Sequence, residues 1–428
     1  MSRASFALAA LALLAGCADE PADEPIVEPT TQTQALAIAP AVKLSRTHIS
    51  GDVYHYTFTL PLGAQPNAAL RIHRVVRERA PWLPRPTRSG ALLMHGDFAT
   101  FTTNFAPDAG GLAPFLAGRE LDVWGLDRRW TLPTAPDADV SDFKDMGVAQ
   151  ELDDIGAALA FVRAVRLAGG AGADPLALIG FSHGAQLAYL YAAVEGGRPA
   201  AQRHVKALVP MDIYAELAPE DADLRAAACG NSAYEYEQVA AGNVDSPNDF
   251  FITLGQLDRT APADPSPFFG GKTNAEAFLL TAGQTYKFAP YTPSYHLAAP
   301  ILSGPAAVGL RESPRARIQA WFEHAAPHQS LRESADLDAL WCGTMPPPVV
   351  APLSQIRVPL YYLGAAGAFG AHGVYSTRGV ASTSVTVQIV KRQSDAAIAE
   401  DFGHGDLLYA TDAPTLAWEP LVRWLLRH

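Results

Sequence analysis

The sequence predicts an α/β architecture: a doubly wound, mostly parallel sheet with helices on both faces and a large helical cap inserted after the sixth strand. Three observations carry that expectation. Short apolar runs alternate with helix-forming stretches along most of the chain, as a parallel sheet requires. One apolar run, Leu176 to Ile179, and one helix-forming run, Ala185 to Glu195, enclose Gly180-Phe181-Ser182-His183-Gly184, so strand, sharp turn and helix follow without a break. Finally, residues 213–352 interrupt the alternation for far longer than an ordinary connection.

Val53–Leu60 and Ala69–Arg77 read as two antiparallel strands around a turn with Pro61, Gly63, Pro66 and Asn67. Ala91–Met94 is a short apolar run, as expected of a strand covered on both faces, and Leu121–Trp124, apolar apart from Asp122, reads as another. Asp145–Leu167 carries Leu152, Ile155, Leu159, Val162 and Val165 at helical spacing, which predicts an amphipathic helix. The strand and helix around Gly180–Gly184 come next, then a strand at Val205–Pro210. Beyond the interruption, Val358–Leu363 and Thr383–Val390 resume the strand pattern. A last helix is expected from Glu419-Pro420, with proline in its first turn, to about Arg427. The interruption holds helical stretches and many aromatics, among them Phe250, Phe251, Phe268, Phe269, Phe278, Tyr286, Phe288, Tyr291 and Tyr295. Most are expected in the cap's own core, although a pocket lining stays open.

The start of the chain carries its own signals. Arg3 precedes an apolar run, Phe6–Ala15, too short to span a bilayer as a mature helix. It ends in Leu14-Ala15-Gly16-Cys17, which resembles the lipobox of bacterial lipoprotein signal peptides. That resemblance implies cleavage before Cys17, lipid on the new N-terminal cysteine, and attachment to a membrane of a bacterial cell envelope, facing periplasm or exterior; an ordinary secretory signal is the alternative. Residues 18–44 are rich in acidic residues, proline, threonine and glutamine and read as an unfolded tether, with the folded body starting near Leu44. The net charge of −12 and the lack of a Lys/Arg run argue against nucleic acid as a partner. Of three cysteines, a lipidated Cys17 leaves Cys229 and Cys342, an even pair outside the cytoplasm that is expected to form a disulfide near the ends of the cap.

Gly180–Gly184 between strand and helix has the form of a nucleophile elbow, and most of residues 50–428 resemble the α/β-hydrolase superfamily of lipases and esterases. Two further motifs carry the likeness. Leu92-Leu93-Met94-His95-Gly96-Asp97, with the later strand and turn Leu121–Trp130, looks like the His-Gly loop of the acid-lipase branch. The resemblance implies an oxyanion hole from the backbone N–H groups of Asp97 and His183, with His95 bracing the loop. An apolar residue is usual at position 97, and a carboxylate there opposes an oxyanion unless it points away. Asp401-Phe402-Gly403-His404-Gly405-Asp406 lies after the last strand and before the last helix, the family's position for the catalytic histidine; His372 is the second choice.

The acid departs from the family pattern. No Asp or Glu occurs from Leu363 to Ser394, so the usual site after the penultimate strand is empty. Some members of the fold take the acid one strand earlier, where Val209-Pro210-Met211-Asp212 supplies an aspartate; Asp395 and a Ser–His dyad are the competitors. The resulting expectation is Ser182 as nucleophile, His404 as general base and acid, and Asp212 as its orienting carboxylate, acting on an ester with no metal or cofactor. Acyl transfer to an alcohol and a non-catalytic, cell-surface binding lipoprotein are the other readings.

Overall fold

The computed structural model describes residues 42–65, 67–106, 108, 110–287, 296–345 and 349–428. The expected signal segment, Cys17 and the expected tether up to residue 41 lie outside the described residues, as do Pro66, Phe288, Tyr291 and Tyr295.

Among the described residues the strands in chain order are β1 Lys43–Ser50, β2 Val53–Pro61, β3 Ala69–Ala80, β4 Leu83–Pro84, β5 Ser89–Met94, β6 Leu121–Asp127, β7 Leu176–Phe181, β8 Val205–Met211, β9 Pro300–Ser303, β10 Ala306–Leu310, β11 Leu360–Ala365 and β12 Val385–Val390. One sheet runs β1-β2-β3-β6-β5-β7-β8-β11-β12, with β4 on the flank of β3. The pairs from β6 through β12 are parallel, while β1, β2 and β3 form an antiparallel flank against β6. The chain thus has the mostly parallel, helix-flanked sheet that the sequence predicts. β1 has no counterpart among the expected strands: it is an exposed edge strand with no apolar face to betray it. The hairpin β9–β10 inside the interruption is likewise additional.

Alternation along the central strands decides what each face buries. Ala91, Leu93, Ala177, Ile179, Val209 and Met211 point into one core, and Leu92, Met94, Leu176, Leu178 and Leu208 into the other. The helices in chain order are α1 Phe101–Phe105, α2 Leu112–Ala117, α3 Val148–Ala168, α4 His183–Gly196, α5 Ala222–Ala240, α6 Asp249–Thr260, α7 Asn274–Gly283, α8 Arg315–Glu323, α9 Leu331–Cys342, α10 Gly370–Arg378, α11 Asp406–Tyr409 and α12 Glu419–Leu425. Ile155, Leu159 and Val162 of α3 and Leu187 of α4 cover the second face, as the helical spacing predicts.

Between β8 and β11 the chain builds α5 to α9 and the β9–β10 hairpin. Leu254, Phe278, Trp321 and Phe322 from this stretch join the first core beside Phe181, so the insertion shares a core with the sheet. Cys229 of α5 and Cys342 of α9 form a disulfide with Cα atoms 4.7 Å apart, closing a loop of sequence separation 113. Among the described residues, no helix is long and apolar enough to cross a membrane.

Candidate active site

The parallel register sets the site. Met94 pairs with Gly180, Phe181 with Met211, and Leu363 with Met211, so β5, β7, β8 and β11 deliver their carboxyl ends side by side. Ligands of open α/β sheets bind at such ends. His95, Ser182 and Asp212 each follow the last residue of their strand.

Ser182 stands in a strained turn with φ 54° and ψ −134°, between β7 and the first residue of α4. Such a conformation persists only where surrounding structure imposes it. Here a side chain on Gly180 would collide with Gly184 O and Ala185 Cα, and one on Gly184 with the carbonyls of Met94 and His95. The two glycines of the motif thus let the helix lie against its strand and against the His95 loop.

Asp212 also has a positive φ, 53°, in the turn that ends β8. Its Oδ2 lies 2.7 Å from His404 Nδ1, and its Oδ1 accepts a 2.8 Å hydrogen bond from Ala365 N. Both partners are buried, with side-chain exposures of 0 % and 3 %. The strand whose end lacks an acid therefore supports the acid of its neighbour. Asp395 sits apart: its side chain is 94 % exposed and pairs with Lys391. His372, the second choice for the catalytic histidine, lies on α10 and faces Asp221 at 3.3 Å.

The loop bearing His404 is tied down by the insertion. His404 N donates to His296 O at 3.0 Å, and Gly405 N to Leu297 O at 2.6 Å. Asp406 accepts from Ala299 N, Gly403 N and Ser313 Oγ at 2.8, 2.7 and 2.5 Å, and burial pushes its carboxyl up to about 6. The imidazole of His404 stacks on Phe181, the residue before Ser182, at 4.4 Å, and meets Phe369 edge-on at 5.5 Å.

On the other side of Ser182 runs the loop His95–Phe98. His95 braces it: Nδ1 contacts Gly96 O at 2.8 Å, and Nε2 accepts from Arg128 N at 3.1 Å. Burial, reinforced by Arg128, lowers this imidazole to about 3, so it stays neutral. Gly96 N donates to Asn104 Oδ1 at 2.9 Å and Phe98 N to Gln329 Oε1 at 3.1 Å, while the Arg128 guanidinium donates to the carbonyls of His95 and Gly96. Arg128 in turn pairs with Glu333 of α9. Among the described residues, the backbone N–H groups of Asp97 and His183 donate no hydrogen bond, unlike that of Phe98 beside them.

The Asp97 carboxylate turns to the side chain of His183, 2.5 Å from its Nδ1, with Arg128 Nη2 at 3.5 Å. Burial works against its ionisation, but His183 and Arg128 outweigh burial and hold it at about 2. The departure at position 97 is therefore an ion pair, not a lone anion. Arg128, Asn104, Gln329 and Glu333 were invisible to sequence reasoning as site residues. Arg128 follows a buried strand end, which is a weak signal; its partner lies 205 residues away.

Aromatic rings gather over the loop. Phe98 stacks on Phe251 at 4.3 Å and on Trp321 at 5.0 Å, whereas Phe278 is buried in the core and Phe250 packs on Phe268 and Phe269. Trp341 of α9 lies 5.3 Å from His183. A separate cleft of about 360 Å³, lined by Thr102, Arg317, Trp321 and Tyr409 among others, includes none of Ser182, Asp212 or His404. Among the described residues, no group of three or more His, Cys, Asp or Glu side chains is arranged to hold a metal ion.

The chain has the α/β-hydrolase fold. A candidate lipase from Sulfolobus solfataricus superposes with a TM-score of 0.60 at 14% sequence identity, covering 91% of this chain and 99% of that one. A monoglyceride lipase from Saccharomyces cerevisiae (12% identity, TM-score 0.43, 93% and 99% covered) and an acetylester hydrolase from Corynebacterium glutamicum (12%, 0.44, 91% and 97%) match more loosely. No protein-family model and no curated protein sequence matches the chain.

Proposed function

We propose that this protein is a serine hydrolase that cleaves a carboxylic ester through an acyl-enzyme on Ser182. The observation that carries the reading is the buried 2.7 Å contact of Asp212 with His404, its ring stacked against the residue before a strained elbow serine. In this reading His404 takes the Ser182 proton as Oγ attacks the ester carbonyl, then gives it to the departing alcohol. Asp212 holds the ring in one tautomer and stabilises the imidazolium. The N–H groups of Asp97 and His183 receive the oxyanion. Water, deprotonated by His404, then releases the acid and restores the serine.

The Phe98, Phe251 and Trp321 wall favours an apolar acyl group, and a lipid-like ester fits it. An acyl chain on Cys17 would hold the protein at a membrane of the bacterial envelope, close to such substrates. The non-catalytic alternative draws its support from the empty acid site after β11, and the contact of Asp212 with His404 favours the hydrolase reading instead. Reaction of the purified protein with a fluorophosphonate probe tests the proposal. Labelling that vanishes in Ser182→Ala is the expected result; a folded native protein that does not label overturns it.

A further inference from the structure

We propose that the side chains of Asp97 and His183 are a positioning pair for this reaction: joined across the gap between loop and elbow, they fix the spacing and aim of their own two backbone N–H groups. The inference rests on the assignment of those N–H groups as the oxyanion hole.

Each half of the hole is anchored separately. On the loop, Gly96 is held by Asn104, Phe98 by Gln329 and by a 3.1 Å bond from Ala326 N to its carbonyl, and the carbonyls of His95 and Gly96 by Arg128. On the elbow, Ser182 N donates to Met211 O at 3.0 Å and α4 begins at His183. These bonds tie the loop to α1, the insertion and the residue after β6, and the elbow to β8. The 2.5 Å contact of Asp97 with His183 joins one half directly to the other. Two donors must converge on one oxygen, and errors of a few tenths of an ångström weaken such a preorganised hole.

The charges support a stable pair. His183 faces Asp97, Arg128, Asp338 of α9 and Glu235 of α5. Burial disfavours its imidazolium, but Asp97 outweighs burial and raises the ring above its ordinary value. Burial lifts Asp338 to about 6, and burial with Asp338 lifts Glu235 to about 8. Arg128, buried and paired with Glu333, adds a second cation beside Asp97. The carboxylate is thus neutralised where it stands, and the pair breaks when rising pH takes the proton from His183.

The test is the pH profile of kcat on a soluble ester for the native protein, Asp97→Asn, Asp97→Glu and His183→Arg, with fluorophosphonate labelling in parallel. Asp97→Asn should lower kcat about 10- to 100-fold with KM within about twofold, since a displaced donor costs less than a deleted one. Asp97→Glu should recover part of that loss. His183→Arg, which cannot lose its charge near neutrality, should move the alkaline limb of kcat upward by about one pH unit or more. A merely structural pair would lower thermal stability and leave that limb in place. A native kcat in Asp97→Asn, or an unmoved limb in His183→Arg, in protein that labels at Ser182 overturns the positioning role and leaves the hydrolase reading standing. Native protein that does not label overturns both.

Discussion

Two aspartate–histidine pairs flank Ser182, and they differ in their access to water. Asp212 and His404 are almost wholly buried, whereas Asp97 and His183 keep side-chain exposures of 24 % and 19 %. The first pair hangs on backbone turns of the sheet: a positive φ at Asp212 and the Ala365 N–H behind its carboxylate. The second hangs on charges, with Arg128 and Glu333 stacked behind it from β6's end and the insertion. A buried carboxylate bound by a fixed N–H keeps an imidazole in one orientation through a reaction cycle. A partly exposed ion pair is weaker, responds to pH, and suits a lock between two pieces of backbone.

That contrast can be broken at four points. The largest effect is expected at the buried pair: Asp212→Asn should cost about 10³- to 10⁴-fold in kcat on an ester, as loss of the triad carboxylate does elsewhere. Asparagine tolerates the positive φ, so the fold should survive. Asp395→Asn should change nothing, and the reverse ranking in steady-state kinetics would displace Asp212 from the mechanism. At the partly exposed pair the loss should be smaller, about 10- to 100-fold for Asp97→Asn, and equal losses at both pairs would erase that distinction.

The third point is the disulfide. α9 carries Glu333 behind Arg128, and Cys342 ties α9 to α5. Replacing both cysteines with alanine should destabilise the protein by about 2–4 kcal/mol, read by denaturant unfolding. At mild temperature kcat should fall less than in Asp97→Asn, because Glu333, Gln329 and Ala326 keep their contacts with Arg128 and Phe98.

The smallest effect is in stability against pH. Asp97 has a lowered folded pKa, so its contribution is complete above the unfolded carboxylate value and fades as pH falls toward about 2. His183 has a raised one, so its contribution is complete below the unfolded imidazole value and fades as pH rises through the folded value. The pair therefore stabilises most between about pH 4 and 6.5. The Tm difference between native protein and Asp97→Asn should be greatest in that window and shrink on either side. A difference that keeps growing above pH 8 would contradict the ion pair.

Much of this was legible in the residues alone, for a physical reason. Wholly apolar runs such as Ala91–Met94 read as strands covered on both faces, and Gly180 and Gly184 mark where backbones must approach. The exposed strand β1 stayed hidden because an edge with little apolar surface leaves no period to read. The hairpin β9–β10 stayed hidden for a related reason: its strands are only four and five residues long.

Sequence by itself determined the alternation of strands and helices, the serine at its turn, and a short list of histidines and acids that could serve it. Spacing along a chain reports local backbone geometry, and those features are local. The tertiary structure decided which members of the list meet. Asp212 reaches His404 across a sequence separation of 192, Arg128 reaches Glu333 across 205, and Asp97 meets His183 only because β5 and β7 lie side by side. Such choices depend on strand order and on where a long insertion folds back, and no local pattern encodes either.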